Sequence, residues 1–225
     1  MEKSDVHVII SAAISLDGKI ATHVGDSKLS SKKDLVRLHR LRSKVDAILV
    51  GRHTIDNDNP LLTVRFSKGK NPTRVILDSN GLISSKSKII QTCHKIPTII
   101  AVSKNISQKR LDCLKNFPLE IIMTGKTLVN VKSLIRVLHK RGIKTILVEG
   151  GGTVIWEFIK KELFDEILLT VSPVIIGGTN SIAFVQGKGF KKIIDSPKLQ
   201  LKSVKKLENH LVLQYVKMEN GKRSR

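Results

Sequence analysis

The chain has 225 residues, of which 40% are hydrophobic, enough for the core of one large α/β domain or two small ones. Its formal charge of +21 favours anionic partners: nucleic acid, acidic membranes or phosphorylated small molecules. Cys93 and Cys113 form no CxxC pair and no zinc spacing, so we expect free thiols in a reducing compartment. We see no signal peptide, and no apolar run approaches the ~20 residues of a membrane span. These features predict a cytoplasmic protein.

Buried strands and amphipathic helices alternate from the first residues onward. Residues 6–14 are apolar and predict a strand that ends at the turn Asp17-Gly18. Ser30 and Ser31 can cap a helix that starts near Lys32. Segment 56–60 is polar, and Pro60 disfavours a helix through it. Further strands are predicted at 47–50, 74–77, 97–102, 119–123, 145–148 and 167–171, and further helices at 107–116, from 131 to about 142, and at 153–163.

The last quarter of the chain changes to strands without intervening helices. We predict a strand and turn at 173–178 and an antiparallel pair at 199–204 and 210–216. The whole pattern predicts an α/β fold with a mainly parallel central sheet, antiparallel C-terminal strands and flanking helices. We expect one domain over 1–217, followed by a basic, disordered tail at 218–225.

A glycine-rich segment, 149–153, gives the strongest local signal. It reads Glu149-Gly150-Gly151-Gly152-Thr153 and connects a buried strand to a helix. Glycines allow a ligand to approach the backbone, and a helix N-terminus attracts phosphate; the alternative is a tight turn alone. The segment is neither a P-loop nor a dinucleotide fingerprint, since Ile155 stands where the third glycine would be. Glu149 either caps the turn or contacts a substrate beyond the strand's carboxyl end.

Other polar residues give weaker signals. Asp17-Gly18-Lys19 follows the first strand, where a solvated turn is the alternative to a site. Asp56 and Asp58 are spaced like metal ligands, but no matching His/Cys cluster accompanies them, so we predict no metal. Arg42 and Arg65 can each clamp a phosphate or lie on the solvated surface. His39 is expected on the surface of the first helix.

Taken together, the motifs resemble a known family. The ordered segments are AAISLDGKIA, GDSKLSS, HRLRS, ILVGRHTIDNDNPLLTVR, PTRVILDS, ILVEGGGTVIW and FDEILLTVSPVIIGG. They resemble the reductase domain of riboflavin biosynthesis, and most closely its stand-alone archaeal members, from about Val6 to Val216. The resemblance implies a dihydrofolate-reductase-like fold, a homodimer and NADPH as hydride donor. The implied reaction converts the ribosyl group of 2,5-diamino-6-(ribosylamino)-4(3H)-pyrimidinone 5′-phosphate to a ribityl group.

The resemblance also assigns site residues by motif position. Those implied to meet the cofactor are Ala13, Leu29, Thr54, Asp58, Ser79, Gly150, Gly151, Gly152 and Thr153. Those implied to meet the substrate are Ser27, Arg42, Leu62, Arg65 and Glu149, with the two arginines on its 5′-phosphate. Lys19, Asp17 and Glu149 would lie near the reacting sugar carbon. In our hypothesis Lys19 supplies a proton and Asp17 orients it.

Two departures from the bacterial bifunctional enzymes qualify the resemblance. We expect no deaminase domain before the reductase, which favours reduction before deamination and a substrate that keeps its 2-amino group. An aromatic residue of bacterial relatives is replaced by Leu29. The alternatives are a reductase of the deaminated ribosylaminouracil phosphate or of dihydrofolate, or, more distantly, a nucleic-acid-binding protein. The net charge favours the last, but no RNA-binding motif supports it, so we expect neither nucleic acid nor membrane as a partner.

Overall fold

The computed structural model describes residues 6–218, so the predicted tail lies outside the described residues from 219 onward. The strands are β1 (His7–Ile14), β2 (Lys19–Ala21), β3 (Ala47–Gly51), β4 (Thr73–Leu77), β5 (Thr98–Val102), β6 (Glu120–Met123), β7 (Thr145–Gly150), β8 (Glu166–Val171), β9 (Ile182–Ala183), β10 (Leu199–Leu207) and β11 (His210–Lys217). The helices are α1 (Lys32–Arg42), α2 (Arg52–Asp58), α3 (Lys88–Gln91), α4 (Gln108–Lys115), α5 (Val131–Lys140) and α6 (Gly152–Lys160), with one 3-10 turn at Ile193–Asp195.

A nine-stranded sheet forms the centre of the molecule, in the order β10-β11-β8-β1-β7-β3-β4-β5-β6. From β8 to β6 every neighbouring pair is parallel. β11 runs antiparallel to β8, and β10 runs antiparallel to β11. The predicted mainly parallel sheet with antiparallel C-terminal strands is therefore confirmed. β3 and β5 are buried at all five positions, because helices cover both faces of a parallel sheet.

Side-chain alternation along the strands divides the core into two layers. On one face, Val8 and Ile10 of β1 pack with Leu134 of α5 and Phe158 of α6. On the other face, residues such as Ile48 and Ile100 pack with α1, α3 and α4. Among the described residues, none of the helices has the length and apolarity that crossing a membrane requires.

The structure corrects the prediction around Pro60. Helix α2 occupies Arg52–Asp58, so the first three residues of segment 56–60 are helical. The helix ends at Asn59, which adopts a left-handed conformation with φ of 41°. Pro60 therefore follows a completed helix end and does not interrupt a helix.

A second correction concerns residues 173–178, where the predicted strand is wrong. This segment is irregular and is fastened to the turn after β1: Leu16 N–H donates to the carbonyl of Val174, and Asp17 accepts from the amides of Ile176 and Gly177. The strand of this region is instead β9, which pairs antiparallel with β2 in a separate two-stranded sheet. These contacts place the chain around 173–186 over the carboxyl end of β1.

Candidate active site

A cavity of about 620 Å³ lies at the carboxyl ends of β1 and β7, where the central strands of an open α/β sheet commonly receive a ligand. Its walls come from β1, β2, α1, α2, segment 149–153 and residues 182–186. The predicted site residues that line it are Ala13, Ser27, Thr54, Asp58, Glu149, Gly151, Gly152 and Thr153. The structure thus brings residues from four distant motifs into one cavity.

The glycine segment forms one end of this cavity. β7 extends through Gly150, whose φ is +115°, and the Gly150–Gly151 peptide bond is cis. Gly151 caps α6 without a side-chain hydrogen bond. A Cβ on Gly152 would lie 2.4 Å from the carbonyl oxygen of Ala183, so only glycine allows α6 to pack this closely on the chain around β9. The amides of Gly152 and Thr153 begin α6 and make no hydrogen bond within the described residues, and both residues line the cavity, an arrangement suited to an anion.

Glu149 and Arg42 form a buried bidentate ion pair at the cavity. Nε of Arg42 donates to Oε1 of Glu149 at 2.8 Å, and Nη2 donates to Oε2 at 2.6 Å. The two side chains are only 8% and 10% exposed, and Nη1 of Arg42 donates to the carbonyl of Thr63 at 3.1 Å. Burial opposes the charge of Arg42, but Glu149 outweighs it and raises the pKa of the guanidinium. Arg42 therefore anchors Glu149, and its nitrogens are already engaged within the protein.

Arg65 lies beside this pair and has no carboxylate partner in the described part of the chain. It is exposed, and its Nη1 donates to Oγ1 of Thr63 at 3.1 Å. Burial, and then the neighbouring Arg42, lower its pKa. Arg42, Arg65 and Glu149 together carry two positive charges and one negative charge. Their net positive charge favours a phosphate. Of the two predicted phosphate ligands, Arg42 already donates through all three of its nitrogens, whereas Nε and Nη2 of Arg65 make no hydrogen bond within the described residues.

His39 corrects another expectation, because it is buried and only 1% exposed. Its Nδ1 accepts a hydrogen bond from the backbone amide of Arg65 at 2.8 Å, and its ring packs edge-on against Phe66. Burial, followed by the charges of Arg42 and Arg65, lowers the pKa of His39 to about 4. The neutral imidazole therefore fastens the loop of Arg65 to α1.

The predicted catalytic residues Asp17 and Lys19 lie in the turn between β1 and β2. Asp17 accepts hydrogen bonds from the Ser15 hydroxyl and from the amides of Ile176 and Gly177. These bonds, Ser15 first, hold its pKa far below the usual range. No ion pair between Asp17 and Lys19 occurs within residues 6–218. Asp17 thus holds two loops together, and Lys19 adjoins Ile20, which lines the cavity.

Ser27 and Asp58 meet at the mouth of the cavity. The Ser27 hydroxyl donates to Oδ1 of Asp58 at 3.0 Å. Burial, and the charge of Asp26, raise the pKa of Asp58 although the bond from Ser27 acts in the opposite direction. Ser27 bonds only one oxygen of the Asp58 carboxyl group, so the group can still form hydrogen bonds with the hydroxyl groups of a ligand.

Several predicted contact residues do not line the cavity. Leu29 is buried, and its carbonyl accepts hydrogen bonds from Ser172 and His210. Leu62 is buried in the core with φ of 51°. The Ser79 hydroxyl accepts from the amide of Val129 at 3.0 Å. Gly150 is buried at the end of β7, so the contacts of these residues with a ligand stay predictions.

The polar cavity residues that the sequence interpretation missed include Ser11, Asp34 and Arg37. Asp34 and Arg37 are spaced i, i+3 on α1, a pattern that also describes any surface ion pair. Asp34 is 1% exposed, and its partner Thr170 lies 136 residues further along the chain. No local pattern reveals such a contact. Within residues 6–218, no group of His, Cys, Asp or Glu residues is arranged to hold a metal.

Comparison with known proteins identifies the family. Residues 6–213 match the model of the RibD C-terminal domain. The chain belongs to this family. A relative from Aquifex aeolicus (strain VF5), named 2,5-diamino-6-ribosylamino-4(3H)-pyrimidinone 5′-phosphate reductase, is 40% identical over 88% of this chain and 90% of its own length. A relative of the same name from Methanothermobacter thermautotrophicus is 35% identical over 93% and 97% of the two chains. The predicted reductase family is thereby confirmed.

Solved structures agree with this assignment. A Thermotoga maritima chain, described as a diaminohydroxyphosphoribosylaminopyrimidine deaminase/5-amino-6-(5-phosphoribosylamino)uracil reductase, is 29% identical with a TM-score of 0.78. The match covers 95% of this chain and 57% of that one, so this chain spans little more than half of the bifunctional protein. Dihydrofolate reductase from Enterococcus faecalis aligns over 96% and 98% of the two chains at 13% identity and a TM-score of 0.52, which confirms the predicted fold alone.

Proposed function

We propose that this chain is an NADPH-dependent reductase that converts the ribosyl group of 2,5-diamino-6-(ribosylamino)-4(3H)-pyrimidinone 5′-phosphate to a ribityl group in riboflavin biosynthesis. The observation that carries the proposal is the glycine-bordered cavity, with its arginine-anchored Glu149, in a chain 40% identical to a relative of that name. The cavity's position beyond the carboxyl ends of the central strands suits a cofactor and a substrate side by side.

The residues present fit a phosphate-bearing nucleotide such as NADPH. Gly151, Gly152 and Thr153 line the cavity, the amides of Gly152 and Thr153 make no hydrogen bond within the described residues, and the close packing at Gly152 leaves no room for a side chain. Thr54 and Asp58 face the same space from α2. We infer that these residues hold NADPH, which supplies a hydride when bound.

The substrate's end of the site is assigned from charge. Arg65 would bind the 5′-phosphate, since it has no carboxylate partner in the described chain. Glu149, oriented by Arg42, would accept hydrogen bonds from hydroxyl or amino groups of the substrate. Lys19, next to the cavity-lining Ile20, is our candidate proton donor.

The reaction requires one hydride and one proton. Opening of the ribose ring breaks the C1′–O4′ bond and leaves an iminium at C1′, while O4′ takes a proton. A hydride added to C1′ then gives the ribitylamine. The protein's share of the rate lies in holding the reacting carbons together and in placing a proton donor near O4′.

A second candidate substrate is the deaminated ribosylaminouracil phosphate. The Thermotoga maritima protein, 29% identical to this chain, is described with a uracil reductase activity. The two substrates differ only at C2 of the pyrimidine ring, and so they place the same demands on Glu149 and Arg65.

We also propose that the enzyme is a cytoplasmic homodimer. β10 lies at the edge of the central sheet and pairs only with β11 within the described residues. Its residues are exposed or only partly buried throughout, and Leu199, Leu201 and Val204 are among the exposed ones. These three apolar side chains lie exposed at the sheet edge beside Lys202, Lys205 and Lys206, and a second chain that packs on them would bury them. A second copy of the chain is the occupant we propose.

The deciding experiment follows loss of NADPH absorbance with the purified protein. The diamino substrate, its deaminated counterpart and dihydrofolate are supplied in parallel, each also with NADH. We expect turnover with the diamino substrate and NADPH. Turnover with the uracil compound alone would favour the second candidate, and turnover with neither pyrimidine would remove the proposed function while leaving the fold.

A further inference from the structure

One wall of the cavity carries an ion pair to which we have assigned no role in phosphate binding or hydride transfer. Asp34 and Arg37, on adjacent turns of α1, both line the cavity. Nε of Arg37 donates to Oδ1 of Asp34 at 2.7 Å, and Nη2 of Arg37 donates to Oγ1 of Thr170 at 2.9 Å. Thr170 in turn donates to the same carboxylate oxygen at 2.7 Å, and Ser30 donates to the other at 2.7 Å.

This arrangement fixes the guanidinium of Arg37 in one orientation. Asp34 is almost completely buried, and the Arg37 side chain is 24% exposed. Nη1 of Arg37 has no hydrogen-bond partner in the part of the chain that the structure describes. Because Asp34 neutralises the charge of Arg37, the pair suits a neutral hydrogen-bond acceptor such as a carbonyl better than a phosphate.

A second observation points to a ligand at the same wall. The hydroxyl of Ser11 is buried and has no hydrogen-bond partner among residues 6–218, and Ser11 lines the cavity. Ser11 lies on the same sheet face as Ala13, whose register partner is Thr170. A buried hydroxyl without a partner is costly, and a ligand in the cavity would satisfy it.

The surrounding surface is suited to a flat, uncharged ring. Ala12, Ala21, Leu38 and Ile182 also line the cavity and supply its apolar surface. Arg65, the cation without a carboxylate partner in the described chain, does not line the cavity and lies next to Arg42, the partner of Glu149. The phosphate and the ring of one ligand can therefore contact different groups of residues.

We propose that Arg37 and Ser11 bind the pyrimidine ring of the substrate: Arg37 donates to a ring carbonyl through Nη1, and Ser11 bonds a ring nitrogen or an exocyclic group. Asp34 and Thr170 are positioning residues that orient Arg37. This inference rests on the proposed function, because it names which part of that substrate the wall recognises. The same chemistry is present in the carboxamide of the cofactor's nicotinamide, and the test separates the two sources.

The variants are Arg37→Met and Ser11→Ala, with Arg40→Met as the control, since Arg40 is exposed on the same helix. Steady-state rates give KM for the diamino substrate and for NADPH separately, and NADPH fluorescence gives the cofactor's Kd. We expect the KM of the pyrimidine to rise about 10- to 100-fold in Arg37→Met and roughly 2- to 10-fold in Ser11→Ala, with Kd for NADPH within about twofold of the native value.

Ser11→Ala keeps the test decisive if Arg37→Met folds poorly. Removal of an unpartnered buried hydroxyl leaves stability equal or higher, so a merely structural Ser11 predicts an unchanged KM. An unchanged pyrimidine KM in Ser11→Ala and in whichever Arg37 variant folds, Arg37→Lys included, would overturn the inference. A change confined to the Kd of NADPH would show that Arg37 and Ser11 bind the cofactor, and this result would also overturn the inference. A native enzyme that turns over neither pyrimidine would remove the proposed function itself, and this inference with it.

Discussion

Glu149 shows how burial determines the role of a single residue. Its side chain is only 10% exposed, and both carboxylate oxygens accept hydrogen bonds from Arg42, which compensates the loss of water. The same contact commits Nε and one N–H of Nη2 of Arg42 to Glu149. The two arginines therefore have different contacts. Arg42 orients Glu149, and Arg65 is the arginine that we expect to bind an anion.

Arg65 gives the sharper test of this division. Arg65→Met should raise KM for the phosphorylated substrate about 10- to 100-fold, because a charge-assisted hydrogen bond is lost, while the dephosphorylated substrate keeps its native KM. Parallel steady-state kinetics with both compounds measure the difference. Lys68→Met, an exposed lysine in the same loop, is the matched control. An equal rise in KM for both compounds would contradict a role at the phosphate.

Lys19 carries the proposed proton transfer. Lys19→Met should lower kcat about 100-fold, the usual size of a general acid's contribution, and leave the Kd of NADPH unchanged. Single-turnover absorbance and cofactor fluorescence measure the two quantities. Lys28→Met, an exposed lysine in the loop after β2, serves as control. A near-native kcat in Lys19→Met would exclude this role and leave the proton donor to be found elsewhere in the cavity.

At the scale of elements, continuous apolar runs were sufficient to predict β1, β3, β4, β5 and β8, because strands buried on both faces need no alternation. The β2–β9 pair was not predicted, because the two strands have only three and two residues and lie about 160 residues apart in the sequence, so that no local pattern indicates their pairing. The apolar run at 173–178 misled, because Val174 and Ile175 are exposed and the segment is held by Asp17. The glycine segment was located correctly, since strand, glycines and helix are contiguous.

The α6 N-terminus depends on how closely it packs against the chain around β9. In Gly152→Ala, the new Cβ would meet the Ala183 carbonyl oxygen at 2.4 Å and Cβ of Gln186 at 2.9 Å. We expect the free energy of unfolding to fall by roughly 1–3 kcal/mol and NADPH affinity to fall with it, because the helix must shift. Urea unfolding and cofactor fluorescence measure both. Thr153→Ala, at the exposed next position, should keep native stability; a Gly152→Ala variant with native stability would refute the packing argument.

At the scale of the whole molecule, the net charge bears on the kind of ligand, and the edge strand β10 bears on assembly. The excess of positive charge raises the encounter rate with any polyanion, and so it supports phosphorylated ligands without identifying one. The order of the motifs identified the site. The cavity wall formed by Asp34, Arg37 and Thr170 needed the structure, because Asp34 and Thr170 are 136 residues apart in the sequence. The sheet edge gives more specific information, since the exposed apolar side chains of β10 lie at a fixed place and predict one surface.

That surface yields a prediction about assembly. The protein should have twice the 25.0 kDa mass of the chain in solution, because β10 presents Leu201 and Val204 at 48% and 53% exposure. The double variant Leu201→Lys/Val204→Lys should dissociate the dimer, since a lysine pair facing its symmetry mate places like charges in an apolar contact. Sedimentation and light scattering give the mass across a concentration series. Leu128→Lys, at a position 70% exposed and remote from β10 in the sheet order, should stay dimeric. A native protein that is monomeric at all concentrations, or a β10 variant that remains dimeric, would show that this strand is not the interface.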